Sequence, residues 1–253
     1  MAYLVATAKR SDLETVRKSA PETWRRVRRY NLPVQLALAA AEEVMTSSRD
    51  AATATVISLA PCQPGSADLY RWGHVVTAGM ATGSLGDLRM NPTQTLHAVD
   101  NLAMSAFAIN YGNHADCLGL GGAAGQAWCG LEAVLERLDE PLGSLGSYEN
   151  VDEALLMAGD QDSTDETANG LGVALLFSRD ARPCAPLGSF VRLVRVERRK
   201  LSSSTNVRPH AALGLSELVT AIEQQKQGLL SYDVPAEQTD GVSAVNIVVE
   251  ISA

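Results

Sequence analysis

Residues 115–138, ADCLGLGGAAGQAWCGLEAVLERL, decide the fold class. Residues 115–120 predict a short strand, Gly121 and Gly122 predict a tight turn, and residues 124–138 predict a helix that opens with small side chains. Free N–H groups at such a helix start can stabilise an anion, which is the geometry of a nucleophile elbow. An ordinary connection from a strand to a helix has the same pattern. The stretch therefore predicts a strand–turn–helix unit and does not by itself indicate a catalytic site.

The rest of the chain alternates between strand-like and helix-like segments. The strand-like runs are β-branched or apolar, and the helix-like runs are rich in Ala and Leu. Apolar strands between helices indicate a central sheet covered on both faces, so we expect one α/β domain over residues 1–253. Strands are predicted at 53–59, 154–158, 171–178, 190–196 and 242–251, and further helices at 32–45, 67–80, 99–109 and 214–227.

The first forty residues are predicted to be helical. Ser11 and Glu14 have the spacing of a capping box, in which Ser11 accepts a hydrogen bond from the third helical N–H. Pro21 is expected to end or kink this first segment.

Two polar features are given structural interpretations. The acidic run 160–166 is predicted to be a solvated loop, because it lacks the glycine and the glutamate that a calcium-binding loop needs. His97 and His114 are predicted to be hydrogen-bonded structural histidines.

The composition excludes several classes of protein. With 46% hydrophobic and 20% charged residues, the 253-residue chain is expected to be globular rather than disordered. Its 21 basic and 29 acidic residues give a net charge of −8, which argues against a general nucleic-acid binder. No apolar run reaches the roughly 18 residues of a membrane span, and the N-terminus has no signal-peptide pattern.

The cysteines predict the compartment. They show no CxxC spacing and lie among apolar residues, which indicates reduced thiols rather than a disulfide framework or a metal site. We therefore expect a cytoplasmic protein without a bound metal. The four cysteines are Cys62, Cys117, Cys129 and Cys184.

Several motifs resemble the β-ketoacyl synthases of the thiolase superfamily. The resemblance begins with NPT at 91–93, LHAVDNLA at 96–103 and YGNHADC at 111–117, followed by the small-residue helix. It implies a thiolase-like layered fold (αβαβα). Four further segments agree in order: QLALAAA at 35–41, NGLGVALL at 169–176, PHAALG at 209–214 and VNIVVE at 245–250.

The sequence departs from this family at the positions that carry its chemistry. The family's active-site cysteine falls at about Gly121, within a turn formed by Gly121, Gly122 and Ala123. Cys117 comes about four residues earlier, inside the strand, where its thiol should be buried and protonated. The family's loop with a second histidine has no counterpart, and the chain is short for a ketosynthase, so we expect a shortened second half.

The resemblance without the nucleophile implies a non-catalytic subunit similar to a chain length factor. Such a subunit pairs with an active β-ketoacyl-ACP synthase in type II polyketide or fatty-acid-like biosynthesis. The small residues Gly121, Gly122 and Ala123 would then shape its acyl tunnel. No cofactor of its own is implied, because phosphopantetheine would arrive on an acyl carrier protein. Gln126 lies about five residues too late to take the glutamine position of chain length factors.

Two other functions remain open. Cys117 acting through His210 would make a compact acyltransferase or thioester hydrolase. The third possibility is an adaptor that only binds a carrier protein. Exposed arginines could hold that acidic partner, although a solvated face is the alternative interpretation of each basic run. The runs are Arg25, Arg26, Arg28 and Arg29, and Arg195, Arg198, Arg199 and Lys200.

Overall fold

A computed structural model gives the fold. It describes residues 1–59, 102–120, 127–139, 151–161, 169–199, 211–225, 227–235 and 244–253. The helix predicted at 67–80 lies outside these residues.

The described chain contains eight strands and six helices. The strands are β1 (Ala2–Arg10), β2 (Thr55–Leu59), β3 (Cys117–Leu120), β4 (Glu153–Gln161), β5 (Gly170–Ser178), β6 (Phe190–Arg199), β7 (Gly228–Pro235) and β8 (Ala244–Ser252). The helices are α1 (Leu13–Ser19), α2 (Pro21–Val27), α3 (Leu32–Met45), α4 (Leu102–Tyr111), α5 (Ala127–Asp139) and α6 (Ala211–Gln224).

All eight strands form one mixed sheet in the order β3-β2-β4-β5-β1-β6-β8-β7. The strands β3, β2 and β4 are parallel, and every other neighbouring pair is antiparallel. Parallel pairing requires crossover connections, and α4 and α5 lie in the connections before and after β3. Because strands from both ends of the chain meet in the middle, the sheet depends on contacts that are distant in sequence.

Helices cover the sheet from two sides. One core lies between the sheet and the helices α5 and α6, and it contains the fully buried side chains of Leu131 and Leu215. The other core contains α3 and α4, with Phe107 fully buried. The described residues therefore form three layers, helix–sheet–helix, and the second sheet of a five-layered arrangement is not found among them. The assignment of residues 1–253 to a single domain stays a prediction.

The N-terminal helix prediction is wrong for residues 2–10. They form β1, which lies between β5 and β6 near the middle of the sheet. The helix signal at residues 11–14 is real, but tertiary pairing with two neighbouring strands overrides its extension back to residue 2. The cap is Asp12 rather than Ser11: its carboxylate accepts hydrogen bonds from the N–H groups of Glu14 at 2.8 Å and Thr15 at 3.2 Å.

Helix α3 is predicted correctly at both ends, and two glycines explain how closely it packs. Gly159 of β4 lies opposite Gly172 of β5. A Cβ on Gly159 would collide with the carbonyl of Pro33, and a Cβ on Gly172 would collide with the carbonyl of Leu36. The glycine pair therefore lets the helix backbone rest directly on the sheet.

The C-terminal part of the sheet differs from the prediction in two ways. Strand β7 is missed, because its sequence GLLSYDVP directly follows a helix and lacks a long apolar run. The expected cover on both faces holds for β2, β4 and β5. On β6, β8 and β7 one face packs on α5 and α6, while the described residues leave the other face exposed at Val194, Arg195 and Leu229.

Candidate functional site

The parallel strands end together at one edge of the sheet. Leu59 of β2 pairs with Leu120 of β3 on one side and with Ala158 of β4 on the other. Neighbouring strands lie about 5 Å apart, so β3 and β4, which flank β2, end about 10 Å from each other. In open α/β sheets, ligands bind outside the carboxyl ends of the strands. This edge, which the carboxyl ends of β2, β3 and β4 share, is the candidate site.

Asp160 joins helix α6 to the same edge. It lies two residues beyond Ala158 on β4, it is buried, and its Oδ2 accepts a hydrogen bond from the N–H of Ala212 at 2.8 Å. The Ala212 N–H belongs to the first turn of α6, whose donors have no partner within the helix. The prediction of a solvated loop is therefore wrong at Asp160 and Gln161, which belong to β4; residues 162–168 lie outside the described residues.

The sequence shows half of this contact. A carboxylate directly after the buried run ALLMAG is visible, and so is a helix that starts near residue 211. Nothing in the spacing of about fifty residues indicates that one caps the other. Only the sheet order brings them together.

Cys117 lies on β3 and is half-buried. Burial raises the pKa of its thiol, and the neighbouring Asp116 carboxylate raises that pKa further. The Sγ atom is 3.6 Å from the carbonyl of Ala115 and 3.9 Å from Oδ1 of Asn113, both of which can accept from a protonated thiol. This environment favours the thiol and opposes the thiolate that a nucleophile requires.

Asn113 fixes the start of β3. Its Nδ2 donates to the carbonyls of Ala51 at 2.8 Å and Ala54 at 2.9 Å, and its Oδ1 accepts from the N–H of Ala115 at 3.1 Å. It follows Gly112, which has a φ of 60°. The Gly-Asn pair after a helix is the signal that could have identified this turn. Asn113 thus connects the turn before β3 to the turn before β2.

Of the remaining residues that the sequence singled out, His114 lies within the described ranges and the others do not. His114 is exposed, and its backbone N–H donates to the carbonyl of Ala52 at 2.9 Å. Among the described residues, no three His, Cys, Asp or Glu side chains converge to hold a metal ion. The residues that lie outside the described chain are Gly121, Gly122, Ala123, Gln126, His97 and His210.

The four arginines near α2 are all exposed, but their surroundings differ. Arg25 pairs with Glu22 at 2.7 Å, and Arg26 pairs with the less exposed Glu42 at 3.0 Å. Arg29 lies 5.0 Å from the ring centroid of Tyr30 and donates to its hydroxyl at 2.8 Å.

Arg28 at the end of α2 has no ion-pair partner in the part of the chain that the structure describes. Its charge is therefore the most available of the four.

The second basic run lies on β6. Arg195 is 3.6 Å from the carboxylate of Glu197 on the same strand. The structure does not describe the side chains of Arg198 and Arg199, and Lys200 lies outside the described residues. No helix in the described ranges is long and apolar enough to cross a membrane.

Comparison with known proteins supports the fold. No protein-family model and no curated protein matches the chain. The ishigamide ketosynthase/chain length factor matches with a TM-score of 0.57 and 12% identity, over 89% of this chain and 82% of that one. The complex of the ketosynthase ApeO with its chain length factor ApeC from Xenorhabdus doucetiae matches with a TM-score of 0.51 and 12% identity, over 88% and 79%.

A β-ketoacyl synthase from Burkholderia phymatum STM815 also matches, with a TM-score of 0.50 and 9% identity over 81% of this chain and 65% of that one. These likenesses show the fold: the chain has the thiolase-like α/β fold of ketosynthases. Two of the similar structures are ketosynthases with their chain length factors. The resemblance in the sequence motifs is confirmed at the level of the fold.

Proposed function

We propose that the protein is a non-catalytic ketosynthase-like subunit that pairs with an active β-ketoacyl-ACP synthase and shapes its acyl tunnel. The pairing surface is the β3 end of the sheet, and the tunnel wall is the edge where β2, β3 and β4 end. Two similar structures are ketosynthases with chain length factors, which supports this role.

The observation that carries the proposal is the outer edge of β3, which no described strand covers. Within the described chain β3 pairs only with β2. The carbonyl of Asp116 accepts from the N–H of Val56 at 3.0 Å, so the backbone of Asp116 faces β2. Because backbone direction alternates along a strand, the N–H and C=O groups of Cys117 and Gly119 face outwards. A neutral edge strand of this kind is suited to a partner chain.

An exposed apolar side chain lies at the same end of the sheet. Ile109 of α4 is 75% exposed, and α4 contacts both β2 and β3. An exposed isoleucine beside an open strand edge indicates a protein–protein contact more than either feature does alone. The opposite end carries Leu229 on β7, which is 68% exposed and offers a matched comparison.

The state of Cys117 supports the non-catalytic role over the acyltransferase or hydrolase. The raised pKa of its thiol would make it a poor nucleophile at neutral pH. Reaction with iodoacetamide discriminates the two: the subunit role predicts slower alkylation of Cys117 than of a free cysteine, with the rate still rising above pH 9. Fast, selective alkylation of Cys117 at pH 7 would favour the enzyme.

An acyl carrier protein is the proposed second partner. The first 45 residues contain eight basic and five acidic residues, so this region is positive in a chain of net charge −8. Arg28 and Arg29 are the arginines best placed to hold an acidic partner, whereas Arg26 is engaged with Glu42. Three cysteines among the described residues are thiols outside any disulfide, which is compatible with the proposed cytoplasmic location.

Co-expression with a β-ketoacyl-ACP synthase and its carrier protein tests the pairing. We expect the two chains to co-purify in equal amounts and the product length to change when this chain is present. A chain that stays alone and leaves the product length unaltered would refute the proposal.

Matched variants locate the surface. Ile109→Glu should weaken pairing by roughly tenfold or more, because it places a charge in an apolar contact. Leu229→Glu makes the same change to an equally exposed side chain at the other end of the sheet and should leave the affinity unchanged. Equal effects of both variants would reject the β3 end as the pairing surface.

A further inference from the structure

Strand β4 carries a buried acid at each end, and the two acids hold different parts of the fold. Asp160 and Glu153 are each 4% exposed. Seven residues of strand separate them by about 23 Å. Asp160 shares its face of the sheet with Ala158, towards α5 and α6, while Glu153 lies on the α3 face at the opposite edge. Only Asp160 is at the candidate site.

The contact of Asp160 fixes one wall of that site. Its carboxylate accepts from the Ala212 N–H, where the positive end of the α6 dipole favours a negative charge. A buried hydrogen bond of this type is directional, so it determines where the first turn of α6 lies relative to the end of β4. Helices α5 and α6 pack side by side on the same face. Arg137, near the C-terminus of α5, pairs at 3.4 Å with Asp116 just before β3, so the N-terminus of α5 lies towards the carboxyl edge, as that of α6 does.

We propose that Asp160 is a positioning residue that sets the shape of the acyl cavity by holding the first turn of α6 at the sheet edge. This inference rests on the proposed function, since it assigns the cavity a chain-length role. The carboxylate acts through the backbone of Ala212, so a change at Asp160 moves a cavity wall without altering the pairing surface at Ile109.

Two substitutions separate the hydrogen bond from the charge. Asp160→Ala removes the acceptor and should let the first turn of α6 shift. Asp160→Asn keeps an acceptor oxygen without the charge and should have a smaller effect. Hydrogen exchange of the Ala212 amide measures the contact itself, and we expect roughly tenfold faster exchange in the alanine variant.

Glu153→Gln is the matched control for lost stability. Glu153 accepts from Ser48 Oγ and from the Arg182 guanidinium, and its carboxylate also accepts from the N–H of Arg49 at 3.1 Å. Its removal should lower the melting temperature as removal of Asp160 does. Glu153 lies far from the candidate site, so its substitution should not alter the product length.

The test is the product-length distribution of the complex with a β-ketoacyl-ACP synthase and carrier protein. We expect Asp160→Ala to change the ratio of the two main product lengths by about threefold or more, with Asp160→Asn between it and the wild type and Glu153→Gln unchanged. If Asp160→Ala does not fold, Asp160→Asn carries the test.

The outcomes distinguish the proposed function of the protein from the positioning role of Asp160. A wild-type chain that neither pairs nor affects product length refutes the proposed function. A wild-type chain that sets product length while both Asp160 variants keep the wild-type distribution refutes the positioning role alone. An equal change in Glu153→Gln would show that stability, rather than the position of α6, controls the product.

Discussion

Two parts of one sheet are built on different principles. The strands β2, β4 and β5 are covered on both faces, and almost every residue in them is buried. The strands β6, β8 and β7 bury one face against α5 and α6, and the described residues leave the other face polar and partly exposed. The first part holds the strand ends of the candidate site, and the second part is a half-covered antiparallel scaffold.

The difference is visible in the residues themselves. The core of β4, ALLMAG, is a continuous apolar run, as expected of a strand buried on both faces. In β8 the buried apolar residues Val245, Ile247 and Val249 alternate with the buried amide of Asn246 and with Val248 and Glu250, which are partly exposed. Alternation of this kind belongs to a sheet with one wet face. A single sheet can contain both patterns only if helices cover both faces of some strands and one face of the others.

The largest effect is expected where a helix rests on the doubly covered part. Gly172→Ala should lower the free energy of unfolding by about 4 kcal/mol or more, because the new methyl group collides with the backbone of Leu36. Gly130→Ala is the control, since its methyl group would meet the flexible ends of two side chains, Leu156 at 2.5 Å and Leu59 at 3.1 Å, and its nearest contacts include no backbone atom of a neighbouring element. Urea denaturation compares them, and equal losses would contradict the close approach of α3.

Side-chain truncation compares the two parts directly. Leu155→Ala removes a fully buried side chain from β4 and should cost about 2–4 kcal/mol. Val248→Ala on the half-exposed face of β8 should cost less than about 1 kcal/mol. Denaturant midpoints give both values. A cost for Val248→Ala close to that of Leu155→Ala would mean that its face is covered as well.

A smaller effect is expected at the one buried amide of the scaffold part. Asn246 Nδ2 donates to Ser231 Oγ at 2.7 Å and to Asp233 Oδ1 at 2.8 Å, which ties β8 to the edge strand β7. Asn246→Ala should cost about 1–2 kcal/mol, because its partners are exposed and regain water. Hydrogen exchange should show β7 opening first. Unchanged exchange in β7 would contradict this role.

The smallest effect is expected from a surface ion pair. Arg192 and Glu250 face each other on β6 and β8 at 2.6 Å, with both side chains partly exposed. Arg192→Ala should change stability by less than about 1 kcal/mol, and salt should reduce the effect. Thermal unfolding at low and high salt measures it. A loss above that level, insensitive to salt, would indicate that this face is covered in solution.

The doubly covered part was the easier one to predict. Helix α3 was identified at both ends from its run of strong helix formers. In the structure Asn31 caps it and Pro33 lies in its first turn, which agrees with that prediction. Strands β2, β4 and β5 follow from apolar runs. Strand β1 could not be predicted, since its place in the sheet comes from β5 and β6, which lie more than 160 residues away. Strand β7 has a mixed sequence, and pairing with β8 decides its conformation.

The candidate site was predictable only in part. The strand before the turn and the buried, protonated state expected of Cys117 follow from local sequence. The cap from Asp160 to α6 and the turn fixed by Asn113 depend on which loops the fold brings together. An acidic run looks solvated in sequence, and the apolar residues before it are the sole hint that its first member is buried.

Hydrogen exchange at the two edges of the sheet tests the central claim most directly. The amides of Cys117 and Gly119 face outwards from β3, so binding of a β-ketoacyl-ACP synthase should slow their exchange by roughly tenfold or more, with the amides of β7 unchanged. A complex that forms and leaves the β3 amides exchanging as before, or that protects β7 instead, would contradict pairing through the β3 end of the sheet.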